Sequence, residues 1–380
     1  MLKQRDIRIE LEEARNTGAL AAARELRRLR VDMTEQVNIF RIIEDAELWL
    51  LFQPMGNLLG AYLPGGVLIN TQRPHSVQRL TAGHEYGHYV LKHEASLDDE
   101  SNLDGSQVGR FRPGSRSGLR DLLSRRELLE EAAAQAFATD FLMPPQLVNR
   151  FWIDLGLPGG AEKLQAAQVY RLSLFLGTSY TATLHQLVAL SKIKLEVAQE
   201  LLGVRPQQIK QTLVSEVDPR DWKSDVWPIR ESDAGRAVVA RVGDELHIQL
   251  PEKPSTGYIW SLSQGDVAPQ HEPQQQFVTE DSEVDDLDEA QPIHDFELVT
   301  TRFEKPSSSD AKTIGGGGMR RFVLRVLRPG YHSLKIVNHR PWQPENPAKE
   351  FRLDVRSDLP TGDGKPGFSA RQKSLLVSCA

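Results

Sequence analysis

The stretch Ala82-Gly83-His84-Glu85-Tyr86-Gly87-His88-Tyr89-Val90 sets two histidines four positions apart, with a glutamate beside the first. On an α-helix four positions make about one turn, so both imidazoles share a face. Two imidazoles so placed can grip one zinc ion. The glutamate between them lies where it can take a proton from water on that ion. A helix running from about Pro74 to Lys92 is predicted around them. Ala82, Gly83 and Gly87 would let a second backbone lie close to it, as a buried metal site requires.

Such a site needs a third protein ligand and leaves the fourth position open. His93 stands five residues beyond His88, which on a continuous helix turns it about 140° away; it reads as a capping or surface histidine. Better candidates are Glu127, Glu130 and Glu131, on a helix predicted from Glu127 to Phe141 and stopped by Pro144-Pro145. Ala134 and Ala138 share a face with Glu131 and offer a smooth strip for packing. Glutamates in such runs ordinarily form a solvated face, and position alone leaves the three open.

Outward from this centre, Ile7 to Val31 has helical spacing, with Leu11, Ala14, Leu20, Ala23 and Leu26 on one face. A second helix is expected after a cap near Thr34. Leu48 to Phe52, Leu58 to Leu63 and Val67 to Asn70 read as strands, the last two joined through Gly65-Gly66. The strand Val67 to Asn70 is a candidate edge for an extended substrate. Ser96 to Arg120 lacks periodicity and reads as an exposed loop, and helices fill Ala161 to about Val214. After Asp218-Pro219 the periodicity changes to that of strands, as in Ala237 to Val242 and Phe322 to Leu327. Glu280 to Glu289 is an acidic, turn-rich insertion. The expected division is a domain over 1–216, a linker over 217–234, a β domain over 235–358 and a flexible tail over 359–380.

The 380 residues, 39% of them hydrophobic, suffice for two cored domains. A net charge of -6 gives no basic field for nucleic acid. The single cysteine, Cys379, excludes a disulfide framework or a cysteine-based zinc finger and fits a reducing compartment. The polar N-terminus lacks a signal-peptide pattern, and no apolar run approaches membrane-span length. A cytoplasmic protein without a membrane partner is expected.

The segment from about Ile7 to Val214 resembles the ImmA/IrrE family of metallopeptidases. The likeness rests on Ile69-Asn70, on His84-Glu85-Tyr86-Gly87-His88, and on Phe137-Ala138-Thr139-Asp140-Phe141-Leu142-Met143-Pro144. In that family an early glutamate of the last helix completes the zinc site, and counting back from Phe137 places it at Glu131. Gln135 stands where the family has Asn, and the loop after His88 is longer. The resemblance implies a zincin-like α+β domain with Zn2+ held by His84, His88 and Glu131. It implies Glu85 as the general base of peptide hydrolysis and a protein substrate such as a transcriptional regulator.

Three short segments punctuate the β region: Pro254-Ser255-Thr256-Gly257-Tyr258 ahead of Trp260, Gly315-Gly316-Gly317-Gly318, and Arg340-Pro341-Trp342. Singly they read as a turn, a flexible glycine run and core aromatics. In this order they are similar to the three loops of the chagasin family of cysteine-peptidase inhibitors, with Lys253 and Ser255 replacing that family's Asn and Thr. The resemblance implies an all-β immunoglobulin-like sandwich whose loops enter the cleft of a papain-like cysteine peptidase. A side-chain-free loop fits a narrow cleft, and a rigid Pro-Trp pair adds apolar area at little entropic cost. The combined expectation is a zinc endopeptidase with a C-terminal protein-binding or inhibitory domain. The alternative is a regulatory inhibitor whose peptidase half is a sensor or a slow self-acting protease.

Overall fold

The computed structural model describes residues 2–99, 124–159, 164–214, 218–263, 267–268, 295–305, 317–358 and 367–368. The chain forms two compact units, one of residues 1–209 with 360–380 and one of residues 210–359. Among the described residues no helix is long and apolar enough to cross a membrane.

The N-terminal unit begins with α1 (Leu2–Leu29). Its buried stripe includes Gly18, Ala22, Glu25 and Leu26, while Leu20, expected on the apolar face, is 59% exposed. Gly18 decides the phase: a Cβ there would lie 2.0 Å from the carbonyl oxygen of Ala133 in α4 (Arg125–Leu142), so two backbones meet at this point. The short helix α2 (Ile39–Asp45) is capped by Asn38, whose side chain accepts from the Arg41 N–H, rather than by Thr34.

Strands β1 (Trp49–Gln53), β2 (Leu58–Leu63), β3 (Gly66–Asn70) and β4 (Ser96–Asp99) join β14 (Gly367–Phe368) in one sheet. Its order is β14-β1-β3-β2-β4. Three expectations change here. Ser96 to Asp99 is a strand paired antiparallel with β2, and the rest of the anticipated loop, residues 100–120, lies outside the described residues. And β3 is paired on both sides, parallel to β1 and antiparallel to β2, so it has no free edge for a substrate. Gly367 and Phe368, read as part of a flexible tail, pair with Phe52 and Leu51.

Helix α3 (His75–Leu91) packs on this sheet and is buried continuously from Thr81 to His88. It ends at Lys92, whose left-handed backbone (φ 59°) reverses the chain. Further helices, α5 (Pro145–Asp154), α6 (Ala166–Leu176), α7 (Tyr180–Ala189), α8 (Leu195–Leu202) and α9 (Pro206–Leu213), follow.

The C-terminal unit is built of two sheets. One holds β5 (Val226–Arg230), β7 (Glu245–Glu252), β11 (Gly318–Val326), β10 (Phe296–Glu304) and β9 (Val267–Ala268), in that order. The other holds β6 (Ala237–Arg241), β13 (Lys349–Asp358), β12 (Gly330–His339) and β8 (Ile259–Leu262). Alternate residues are buried on both: Leu246, Ile248 and Leu250 on one, Leu334 and Ile336 with Phe351, Leu353 and Val355 on the other. This period-2 burial is that of sheets sharing a core. The unit begins earlier than Gly235. β5 lies in the stretch read as a linker and pairs in parallel with β7, burying Val226, Trp227 and Ile229. The acidic stretch Glu280 to Glu289 lies outside the described residues.

Candidate functional site

Helices α3 and α4 meet through small residues. A Cβ on Gly83 would lie 3.4 Å from the Ala138 Cβ, and one on Gly87 would lie 3.0 Å from the Phe137 ring and 3.2 Å from the Ala134 carbonyl oxygen. At this approach α4 presents one of its three candidate glutamates to α3. Glu127 is consumed by the helix cap: its carboxylate accepts from the Ser124 N–H, and Ser124 Oγ accepts from the Glu127 N–H. Glu130 pairs with Arg126, Nε to Oε1 2.8 Å. Glu131 faces the histidines.

The Nε2 atoms of His84 and His88 are 3.0 Å apart. Glu131 Oε2 is 3.1 Å from the first, and its Oε1 is 3.4 Å from the second. Bonds of about 2.0–2.1 Å from a tetrahedral zinc ion imply ligand–ligand edges of roughly 3.3 Å, and each of these three donor-to-donor separations is close to that edge. A metal coordinated by His84, His88 and Glu131 fits this donor set. Both histidines are buried and Glu131 nearly so. Burial holds His88 down to about 4, well below the ordinary imidazole range, leaving its ring neutral and its lone pair available. Burial also pushes the Glu131 carboxyl up, but the neighbouring His84 and His88 outweigh it and hold the acid below its ordinary value.

Glu85 is fully buried on the sheet side of α3. Ser96 Oγ donates to its Oε2 at 3.1 Å, so the β4 strand contributes directly to the site. A Cβ on Gly60 of β2 would lie 3.2 Å from Glu85 Oε1 and 2.4 Å from Thr81 Cγ2, which makes this glycine part of the carboxylate's seat. On the far side of α3, Tyr86 donates from its hydroxyl to Glu25 of α1 at 2.6 Å, and Glu25 pairs with Arg28. Asn70, one of the residues carrying the family resemblance, is buried and structural: its amide donates to the Gly56 and Leu58 carbonyls and accepts from the Met55 and Gln72 N–H groups. Sequence reasoning missed Ser96 and Gly60, since neither belongs to a helical pattern. His93 is also placed differently, with its Nδ1 3.0 Å from His88 Nδ1.

In the β unit, two of the singled-out segments touch and the described end of the third approaches them. Pro254–Thr256 makes one 3-10 turn closed by Gly257 at φ +79°. Trp342 lies over this glycine, where a Cβ would come within 2.8 Å of the indole. The Arg340 guanidinium stacks 4.7 Å above the Tyr258 ring. Gly317 adjoins Lys253, and a Cβ on Gly318 would strike the Glu304 carbonyl oxygen at 2.3 Å. Gly315 and Gly316 lie outside the described residues. The first loop is anchored by Glu252, a residue sequence reasoning passed over. It is buried, accepts from the Trp260 N–H at 2.7 Å and holds Arg320 through both of its oxygens. Trp260 is core and donates to the Pro251 carbonyl, whereas Trp342 is 65% exposed. Lys253, Thr256, Tyr258, Gly317 and Asn338 line an open groove of about 750 Å3.

Residues 239–355 match the chagasin family of peptidase inhibitors (I42). Over 131 residues the chain is 24% identical to chagasin of Trypanosoma cruzi, spanning 34% of this chain and 96% of that protein. Among solved structures it is similar to a cysteine protease inhibitor from Entamoeba histolytica, at 18% identity over 36% of this chain and 97% of that one, with a TM-score of 0.25. Amebosin is similar at 20% identity over 36% and 99% of the two chains, with a TM-score of 0.23. The structure of PbICP-C in complex with falcipain-2 is similar at 17% identity over 38% and 95%, with a TM-score of 0.20. The protein is therefore multidomain, with a helix-rich N-terminal region and a chagasin-like β domain that resembles cysteine protease inhibitors. The family match lies wholly within the β unit and does not extend to the histidine–glutamate centre.

Proposed function

We propose that the N-terminal unit is a zinc-dependent endopeptidase acting on a protein substrate, and that the β unit binds and inhibits a papain-like cysteine peptidase. The observation that carries the first half is the convergence of His84 Nε2, His88 Nε2 and Glu131 at 3.0–3.4 Å, with the Glu85 carboxylate on the same helix. Zinc in such a site polarises a scissile carbonyl and makes water acidic enough to attack near neutral pH. The protein's own part is that of its side chains. His84, His88 and Glu131 would hold the ion. Glu85 receives the proton from the attacking water and delivers it to the leaving amine. Ser96, donating to one Glu85 oxygen, aims the other. The second half rests on the family match and on an exposed Trp342 held against Gly257 beside Tyr258.

Metal content and the Glu85→Gln variant test the first half. The purified protein is expected to hold about one zinc per chain. Glu85→Gln is expected to keep it while losing cleavage by orders of magnitude, because an amide cannot accept the proton. A protein without zinc, or a variant that cleaves as well as its parent, contradicts the reading. A second reading is favoured by the family match covering the β unit alone: the β unit is the working end, and the N-terminal unit is a sensor or a slow self-acting protease. Under it, Glu85→Gln inhibits a papain-like enzyme as well as the parent and cleaves nothing but itself more slowly.

A further inference from the structure

The turn that ends α3 returns a side chain to the metal centre. On an unbroken helix His93 would point away from His88, but Lys92 adopts φ 59° and ψ 40°, and the His93 N–H donates back to the His88 carbonyl at 2.9 Å. The chain is thus wound tightly around the last turn. The two imidazoles meet with ring centroids 5.0 Å apart at 69°, and their Nδ1 atoms are 3.0 Å apart. A separation of this size holds one proton between two nitrogens. His88 directs Nε2 toward His84 and Glu131. A neutral ring whose Nε2 lone pair serves a metal carries its proton on Nδ1. Donation can then run only from His88 to His93.

We propose that His93 is a positioning residue for the metal centre: its Nδ1 accepts the Nδ1–H of His88 and fixes both the tautomer and the rotation of that ring. This rests on the zinc reading of the N-terminal unit. Histidine ligands nearly always give their second N–H to a carboxylate, a carbonyl or water. Here the acceptor is a second neutral imidazole, half-buried and supplied five residues along the same chain. A neutral acceptor would orient His88 without adding negative charge behind it.

The test uses the full chain and zinc affinity by chelator competition, with thermal melting of the metal-free protein as a fold control. His93→Leu removes the acceptor and is expected to weaken zinc binding by roughly 10–100-fold. His93→Asn places an oxygen near the position of Nδ1 and is expected to recover most of that loss. A merely structural role would lower the melting temperature of both variants without separating their affinities. Should His93→Leu fail to fold, nitrogen-15 spectra of the zinc-loaded wild type decide the matter. They are expected to show His88 protonated at Nδ1 and His93 protonated only at Nε2. A His93 that carries its proton on Nδ1, or a folded His93→Leu that binds zinc like its parent, overturns the proposal while leaving the zinc site standing. A wild-type chain that binds no zinc overturns both.

Discussion

Glu127, Glu130 and Glu131 sit within five residues of one another, yet among the described contacts only Glu131 meets the two histidines. Glu127 completes a capping box and Glu130 answers Arg126, so removing either costs a cap or an exposed ion pair of small worth. Glu131→Ala is therefore expected to strip zinc in an equilibrium dialysis measurement, with Glu127→Ala and Glu130→Ala retaining it. Loss of metal from either of those would mean that the carboxylates exchange roles. Acid should act through the same cluster. His88 is held at about 4 in the folded chain against an ordinary 6.5, so as pH falls the unfolded chain takes up that proton first. Glu131, depressed by its histidine neighbours, adds in the same direction at lower pH. The metal-free protein is thus expected to be fully stable above about 6.5 and to lose stability progressively toward 4 and below. Hydrogen exchange of residues 75–91, corrected for its intrinsic pH dependence, reads this, and a flat profile would contradict it. His84, Glu85 and His88 were legible because one helical turn relates them. Glu131 needed more: Ser124 and Glu127, three apart, already spell a capping box that retires one rival, and Arg126 four before Glu130 hints at the other. The placement of His93 was not legible, because it depends on a left-handed residue at Lys92 that no side chain announces, nor was Ser96, which is placed by strand pairing rather than by a helical pattern.

At the scale of elements, the site depends on how closely α3 and α4 approach. A Cβ on Gly87 would press on both the Phe137 ring and the Ala134 carbonyl, so there is little slack to absorb a larger residue. Gly87→Val is expected to destabilise the N-terminal unit by roughly 1–3 kcal/mol, the usual cost of overpacking. It should also weaken zinc binding, since α4 can yield only by carrying Glu131 outward. Urea unfolding together with metal affinity checks this; unchanged zinc affinity would show that Glu131 is positioned independently of the helix spacing. Most helices and strands here were legible from periodicity, with α3 and α4 shifted by only a residue or two. The failures have identifiable causes. The apolar phase of α1 was misjudged in part, Leu26 being buried as expected but Leu20 and Ala23 exposed, because its contact face includes Gly18 and Ala22, which carry little hydrophobic signal. The β4 strand begins in a Ser-Leu-Asp-Asp run that lacks β propensity and exists because β2 supplies a partner.

At the scale of the molecule, the histidine–glutamate cluster and the chagasin-like loops lie in separate units, and their sequence signatures differ in kind. The β unit was legible as a whole from strand alternation, but its start was not: β5 was hidden behind Asp218-Pro219, where Trp227-Pro228 interrupts the pattern. The described parts of its three loops, scattered over nearly ninety positions, become neighbours because β8 pairs with β12 and β7 with β11. Trp342 is expected to dominate any complex with a papain-like peptidase. Trp342→Ala should weaken inhibition by about 2 kcal/mol or more, as for other exposed aromatic anchors. Tyr331, still more exposed at 86% but at the opposite end of β12, is the matched control and should leave inhibition unchanged. Equal losses from both would place the binding surface elsewhere.

The pairing of Gly367 and Phe368 with β1 has a consequence for the colloidal behaviour of the protein. Without it, the Trp49–Gln53 strand would be the rim of its sheet, offering unsatisfied backbone groups beside the Trp49 indole, which is half-exposed even with the Phe368 ring 5.3 Å away. Bare apolar rims recruit further strands from other copies. A chain shortened to residue 358 is expected to scatter light at concentrations where the full chain stays clear, and a Phe368→Asp chain to do so partly. Precipitation, rather than loss of chemistry, would then be the first symptom of trimming the C-terminal end.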